Sequence, residues 1–231
     1  DIVYDNLTLY DMLKYTAKLR LPRDISDEEM ESAINKAIRM VDLSEKKKSY
    51  IRSLSGGQRK RASIAVELLS DPNLLFLDEP ASGLDPGTER SLMDTLRRMT
   101  DNGKTVILVT HSTLQLKMCD KIMFMGNGGN LCYFGSYDNA LSFFQVKDIV
   151  DVYHYLNEQA PHWKSRYMAI APRAASGYSR RKPDMSGKGK QRAQFPILSS
   201  RYARLIFNDK IRLLLLIGLA PILAVLISLV A

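Results

Sequence analysis

Apolar residues recur at helical spacing through the first third of the chain. Leu9, Met12, Leu13, Thr16 and Ala17 predict a helix over residues 7–20, with Thr8 as its N-cap and the Leu19-Arg20-Leu21-Pro22 run closing it. Ser26 and Glu29 form a capping box ahead of Met30, Ala33, Ile34, Ala37, Ile38 and Val41, which predict a second, amphipathic helix. A third is expected from Gly57 to about Leu69, on Ala62, Ile64, Ala65, Leu68 and Leu69, and Asp71-Pro72 stops it. The period then changes. Residues 74–77 form an unbroken apolar run too short for a helix before Pro80, and residues 105–110 form another; both predict buried strands of a parallel sheet. Between them residues 89–99 read as a helix ended by Asp101-Asn102-Gly103. Residues 121–125 and 131–134 flank a glycine-rich loop as a β-hairpin, and residues 137–144 suit a short closing helix. The class expected is α/β.

Beyond about Asp148 the pattern weakens, and residues 171–191 are dominated by Pro, Gly, Ser, Arg and Lys, the composition of a solvated linker. Residues 195–210 can again form an amphipathic helix, with Leu198, Tyr202, Leu205 and Ile206 on one side. Residues 213–231 are then uncharged and nearly all apolar, close to the roughly 20 residues a membrane span needs.

Composition changes this picture in one respect. The chain of 231 residues has a formal charge of +8, and nine Lys or Arg against one acidic residue fall between Lys164 and Arg192, so the remainder is neutral. Basic residues just before an apolar span suit an anionic lipid surface and put the preceding domain on the cytoplasmic side. A nucleic-acid arm fits less well, because no aromatic residue interleaves with the charges between Ser179 and Gln191. Cys119 and Cys132 have no metal-ligand spacing and are expected to be reduced core thiols. The chain begins Asp1-Ile2-Val3, with no signal peptide, and ends without a polar flank after the apolar run; both ends are expected to be cuts.

Candidate chemistry concentrates between Leu54 and His111. Ser55-Gly56-Gly57-Gln58 is a glycine turn opening into a helix, whose free N–H groups and dipole suit a phosphate. The first apolar strand ends on Asp78 and Glu79, adjacent carboxylates suited to an Mg²⁺ ligand beside a water-activating base. Thr110-His111 stands at the carboxyl end of the second strand, the edge at which open α/β sheets bind ligands. Gly126 to Asn130 does not lead into a helix and is not a nucleotide loop. No glycine precedes Gly56, so the phosphate-cradling Gly-x-x-x-x-Gly-Lys-Ser/Thr loop is absent from this sequence.

Leu54–Gln58, the Leu74–Glu79 run and Ser82–Asp85 resemble, in order and spacing, the signature, Walker B and D-loop motifs of the ATP-binding cassette (ABC) family. The cassette-first order and the Leu131–Gly135 region resemble its G-type, or white-type, branch, and the motif choice looks bacterial. The resemblance implies the carboxyl part of a P-loop (RecA-like) nucleotide-binding domain over residues 1–147, starting after the Q-loop, with a helical subdomain (1–69) and a core (70–147). It further implies a basic flexible linker (148–194), an interfacial helix (195–211) and the first transmembrane helix of a membrane domain (212–231). ATP and Mg²⁺ are the cofactors implied. Asp78 would hold Mg²⁺ through water, Glu79 would activate the attacking water and His111 would contact the γ-phosphate. Ser55, Gly56, Gly57 and Gln58 would bind ATP held by a second cassette, and Ser82 and Asp85 would cross the dimer interface. The partners implied are that second cassette, the chain's own membrane domain and the lipid bilayer, with no nucleic acid and with export as the expected direction. The alternative is a soluble, non-transport ABC ATPase acting on DNA or ribosomes, and a third possibility is a non-enzymatic subunit with a degenerate site.

Overall fold

The computed structural model describes residues 4–22, 24–171, 194–215, 217, 218 and 221. Local capping sets the first two helices. In α1 (Leu9–Arg20) the Thr8 hydroxyl accepts the Asp11 N–H at 3.1 Å, and in α2 (Asp27–Met40) Ser26 and Glu29 cap each other reciprocally. α3 (Gly56–Leu68) opens on a second capping box, Ser55 with Gln58. The buried faces of these helices meet in one core containing Leu9, Met12, Leu13, Ile34, Ile38, Ala62 and Ala65.

The edge that carries Asp78, Glu79 and His111 is built on a βαβ unit. β1 (Leu74–Asp78) and β2 (Thr105–Val109) pair in parallel, from Leu74 opposite Thr105 to Asp78 opposite Val109, and α4 (Pro86–Asp101) connects them. α4 starts three residues earlier than expected because Asp85 caps it and Pro86 occupies its first turn, where a missing N–H costs nothing. Leu92, Met93, Leu96 and Met99 seal α4 to the first core.

The strands are not the doubly covered ones expected. Leu75 is buried, but Phe76 is 71% and Val109 60% exposed, and Leu74 and Ile107 are also largely uncovered. A continuous apolar run equips a strand for two covering layers; here the described residues provide only one.

β3 (Ile122–Gly126) and β4 (Asn130–Gly135) form the antiparallel hairpin, with Met123 opposite Phe134 and an irregularity between Phe124 and Met125. It packs with α5 (Tyr137–Phe144), α6 (Val150–Glu158) and α7 (Ala160–Ile170) around a second, aromatic core of Phe124, Tyr133, Phe143, Phe144, Trp163 and Tyr167. α6 and α7 correct the expectation of a flexible linker from residue 148. Ile149, Val152, Leu156, Ala160, Trp163 and Tyr167 recur at steps of three and four, a stripe obscured by the break at Gln159 and by Pro161 in the first turn of α7. α7 approaches Gly126 closely: a Cβ there would lie 2.6 Å from that of Ala160.

α8 (Gln194–Asn208) lies against α1. Arg204 pairs with the buried Asp11 at 3.1 Å, Tyr15 meets Ser200 at 3.2 Å, and Asn208 donates to the Asn6 carbonyl at 2.8 Å. Leu205 turns toward the first core, whereas Phe195, Tyr202 and Phe207 face outward. The lysine- and arginine-rich stretch over 172–193 and most of the apolar run over 213–231 lie outside the described residues, and no helix among the described residues is long and apolar enough to cross a membrane.

Candidate active site

Glu79 follows the last residue of β1 with φ +47°, a left-handed conformation that a non-glycine residue adopts only when its surroundings impose it. Two backbone bonds do so. Its N–H donates to the Val109 carbonyl at 2.9 Å, and its own carbonyl accepts from Ser82 at 3.1 Å. The side chain is thereby aimed across the strand ends, where His111 Nδ1 donates to Glu79 Oε1 at 2.9 Å. The imidazole is 77% exposed, so its other nitrogen faces solvent. Asp78 stands next to this pair, exposed at the strand terminus.

Glu79, Ser82, Glu89, His111 and Ser112 share the lining of an open cleft of about 310 Å³. Glu89 and Ser112 in this lining, and Tyr153 beside it, escaped the sequence reading. Glu89, in the first turn of α4, is only 7% exposed and accepts from the Ser112 hydroxyl at 2.6 Å. It prolongs the apolar stripe of Leu92, Met93, Leu96 and Met99, and a carboxylate on such a stripe was the available signal. Tyr153 of α6 reaches the same loop, its hydroxyl donating to the His111 carbonyl at 3.5 Å. Burial and the nearby Glu79 carboxylate push the Tyr153 phenol above its ordinary value.

The signature residues lie at the start of α3. The Ser55 hydroxyl accepts the Gln58 N–H at 3.4 Å and the Gln58 side chain accepts the Ser55 N–H at 3.0 Å, so Gln58 is engaged in capping. The Ser55 O–H proton is left to donate outward. Gly56 is exposed; Gly57 is buried, and a Cβ on it would lie 2.2 Å from Thr88 Cγ2. The second glycine of the pair therefore serves the packing of α3 on α4. Asp85, expected at a dimer interface, has its carboxylate committed within the chain to Gly87 N, Thr88 N and the Thr88 hydroxyl. These bonds, the Thr88 hydroxyl foremost, lower its pKa from the ordinary carboxylate value. Ser82 remains exposed beside Gly83, which is in the left-handed region at φ +77°.

Over 213 residues, 91% of its length, the chain is 33% identical to an ABC transporter ATP-binding/permease protein of Mycobacterium tuberculosis. It is 38% identical over 62% of its length to the broad substrate specificity ATP-binding cassette transporter of Bos taurus, and 35% identical over the same share to ABC transporter G family member 14 of Arabidopsis thaliana. The chain belongs to the ATP-binding cassette family. A family profile described as "AAA domain, putative AbiEii toxin, Type IV TA system" matches residues 6–116 of this cassette. Its fold is that of an ATP-binding cassette of an ABC transporter solved in the ADP conformation, with a TM-score of 0.56 at 21% identity, covering 65% of this chain and 63% of the other. The cbiO1 cassette of Clostridium perfringens gives 0.56 at 24% identity, with 71% and 61% covered. The chain spans about a quarter of the length of the curated relatives it matches.

Proposed function

We propose that this chain is the signature and Walker B part of an ATP-hydrolysing cassette that drives transport across a membrane. The observation carrying the proposal is the Glu79–His111 hydrogen bond at the carboxyl edge of two parallel strands, in a cassette fold. The uncovered faces of Phe76 and Val109 support a further covering layer, and we assign it to the phosphate-loop half of the same domain.

Glu79 receives a proton from, or orients, the water that attacks the γ-phosphate, and His111 holds the Glu79 carboxylate through Nδ1 while its free nitrogen is available to the transferring phosphate. Ser55 and the exposed backbone of Gly56 present donors at the α3 N-terminus to a nucleotide held by a second cassette. Among the described residues no three His, Cys, Asp or Glu side chains converge to hold a metal ion. Asp78 would hold an Mg²⁺ ion at the end of β1, the remaining ligands of this ion commonly being phosphate oxygens and water. When bound, it supplies charge neutralisation on the phosphate oxygens.

α8 and the apolar run after it are assigned to the bilayer side, α8 with Phe195, Tyr202 and Phe207 turned outward and its other face docked on α1 through Arg204. Export follows only from the family expectation.

In the full-length protein, Glu79→Gln should lower ATP turnover by about two to four orders of magnitude while ATP remains bound. Ser55→Arg should block closure of two cassettes and leave turnover equally low. This chain alone should show no measurable turnover, because the phosphate loop is not in it. Unchanged turnover in the Glu79 variant, or turnover by the isolated chain at the full-length rate, contradicts the assignment.

A further inference from the structure

Glu89 is a buried carboxylate with no part in the chemistry described above, and burying such a group is costly unless it is well bonded. Its described side-chain partner is Ser112, at 2.6 Å, the short distance of a hydroxyl donating to a carboxylate. Ser112 directly follows His111. Its hydroxyl also accepts from Leu114 N at 3.4 Å, and its own N–H donates to the Thr110 hydroxyl at 3.0 Å. The backbone on both sides of the histidine is thus pinned by hydroxyls; Glu89 fastens this loop to α4, and the longer Tyr153 contact ties it to α6.

That element is anchored to the same cleft. Ser82 N donates to Glu79 O, Asp85 caps α4, Glu89 sits one turn further along α4 and binds Ser112, and His111 returns to Glu79. These bonds close a ring around the cleft in which Glu89–Ser112 is the tie between α4 and the histidine loop. An imidazole that is 77% exposed has little packing to hold it, so its alignment depends on its backbone.

We infer that Glu89 and Ser112 are positioning residues that hold His111 in register with Glu79. The inference rests on the reading of Glu79 and His111 as the hydrolytic pair.

The test is steady-state ATP turnover by the full-length protein, with nucleotide binding and thermal unfolding measured alongside. Ser112→Ala and Glu89→Leu are expected to lower kcat about ten- to a hundredfold, the scale of a small misplacement of a reacting group, with KM for ATP within about twofold of wild type. Glu89→Gln keeps an acceptor and Ser112→Thr keeps a donor; each should recover most of the rate. The double variant Ser112→Ala/Glu89→Leu should be no slower than the worse single one, because both remove the same bond. Wild-type kcat in Ser112→Ala overturns the inference, as does a loss confined to KM or one that Ser112→Thr fails to rescue. Should Glu89→Leu not fold, the Ser112 pair decides alone. Glu79→Gln in the same assay separates the two levels: if it turns over normally the hydrolytic reading falls, and if it is inactive while Ser112→Ala is normal only the positioning role falls.

Discussion

At the scale of single residues, the site depends on close approaches that differ in kind. Glu79 is held at positive φ by backbone bonds to Val109 and Ser82, so its aim follows from strand pairing and a turn, and not from its own conformational preference. Gly57 is held by steric exclusion. A Cβ on it would run into Thr88, whose hydroxyl is bound to Asp85, so the threonine cannot turn aside without losing that bond. Gly57→Ala is therefore expected to destabilise the fold by about 1–3 kcal/mol, the usual cost of overpacking, measurable as a lower urea midpoint. Gly56→Ala, whose Cβ would meet Leu84 Cδ2 at an ordinary 3.5 Å, should leave that midpoint nearly unchanged. The Ser-Gly-Gly-Gln motif was legible as a helix start from Ser55 and Gln58, whose capping bonds span three residues. That its second glycine faces α4 was not legible, because the contact joins residues 31 positions apart.

At the scale of elements, α6 and α7 are the main departure from expectation. Their stripe continues through a helix break, so a window centred on either side sees only three residues of it. Packing against β4 and α5 supplies the stability that so short a pair of helices lacks in isolation. Trp163, the single tryptophan of the chain, reports on this directly. It is buried against Phe144 and Tyr155, with Arg166 over its ring. Its fluorescence should be blue-shifted and resist quenching by iodide, whereas a tryptophan in a solvated linker would emit like the free amino acid and be fully quenched. The strands failed expectation in the opposite sense. Their apolar runs were legible, but whether a second layer covers them is a property of whatever packs there, and Phe76 shows an open face.

Across the whole molecule, polar clamps join the helical subdomain to the sheet. Asp71, between α3 and β1, accepts from Lys104 at 2.7 Å and also from Lys36 on α2, while the Lys104 ammonium further donates to the Pro72 carbonyl. The Lys104 side chain is 8% exposed, so loss of its partner leaves a nearly buried charge uncompensated. The two lysines, Lys104 foremost, hold the Asp71 carboxyl below its ordinary value of 3.8. A folded-state pKa lower than the unfolded one stabilises the fold fully above that ordinary value, and the contribution is lost as pH falls through the folded pKa. Asp71→Asn should lower the melting temperature at neutral pH, and the gap from wild type should narrow as pH drops below 3.8. Asp71 has φ +47°, which asparagine tolerates, so the comparison isolates charge. A gap independent of pH would assign the effect to packing.

What the sequence determined by itself was everything set by neighbours along the chain: the caps at Thr8, Ser26 and Ser55, the stop at Asp71-Pro72, the change from helical to strand periodicity, and the motifs that mark an ATP-binding cassette. Those features act over three or four residues, within reach of a single side chain. Tertiary structure alone decided that His111 reaches Glu79, that Glu89 fastens the loop beside it, that Gly57 gives way to Thr88, and that α8 returns to dock on α1. Each of these joins groups more than 20 positions apart. Their meeting is fixed by strand register and by how whole helix faces bury their apolar area, quantities that belong to the folded molecule and to no segment of it.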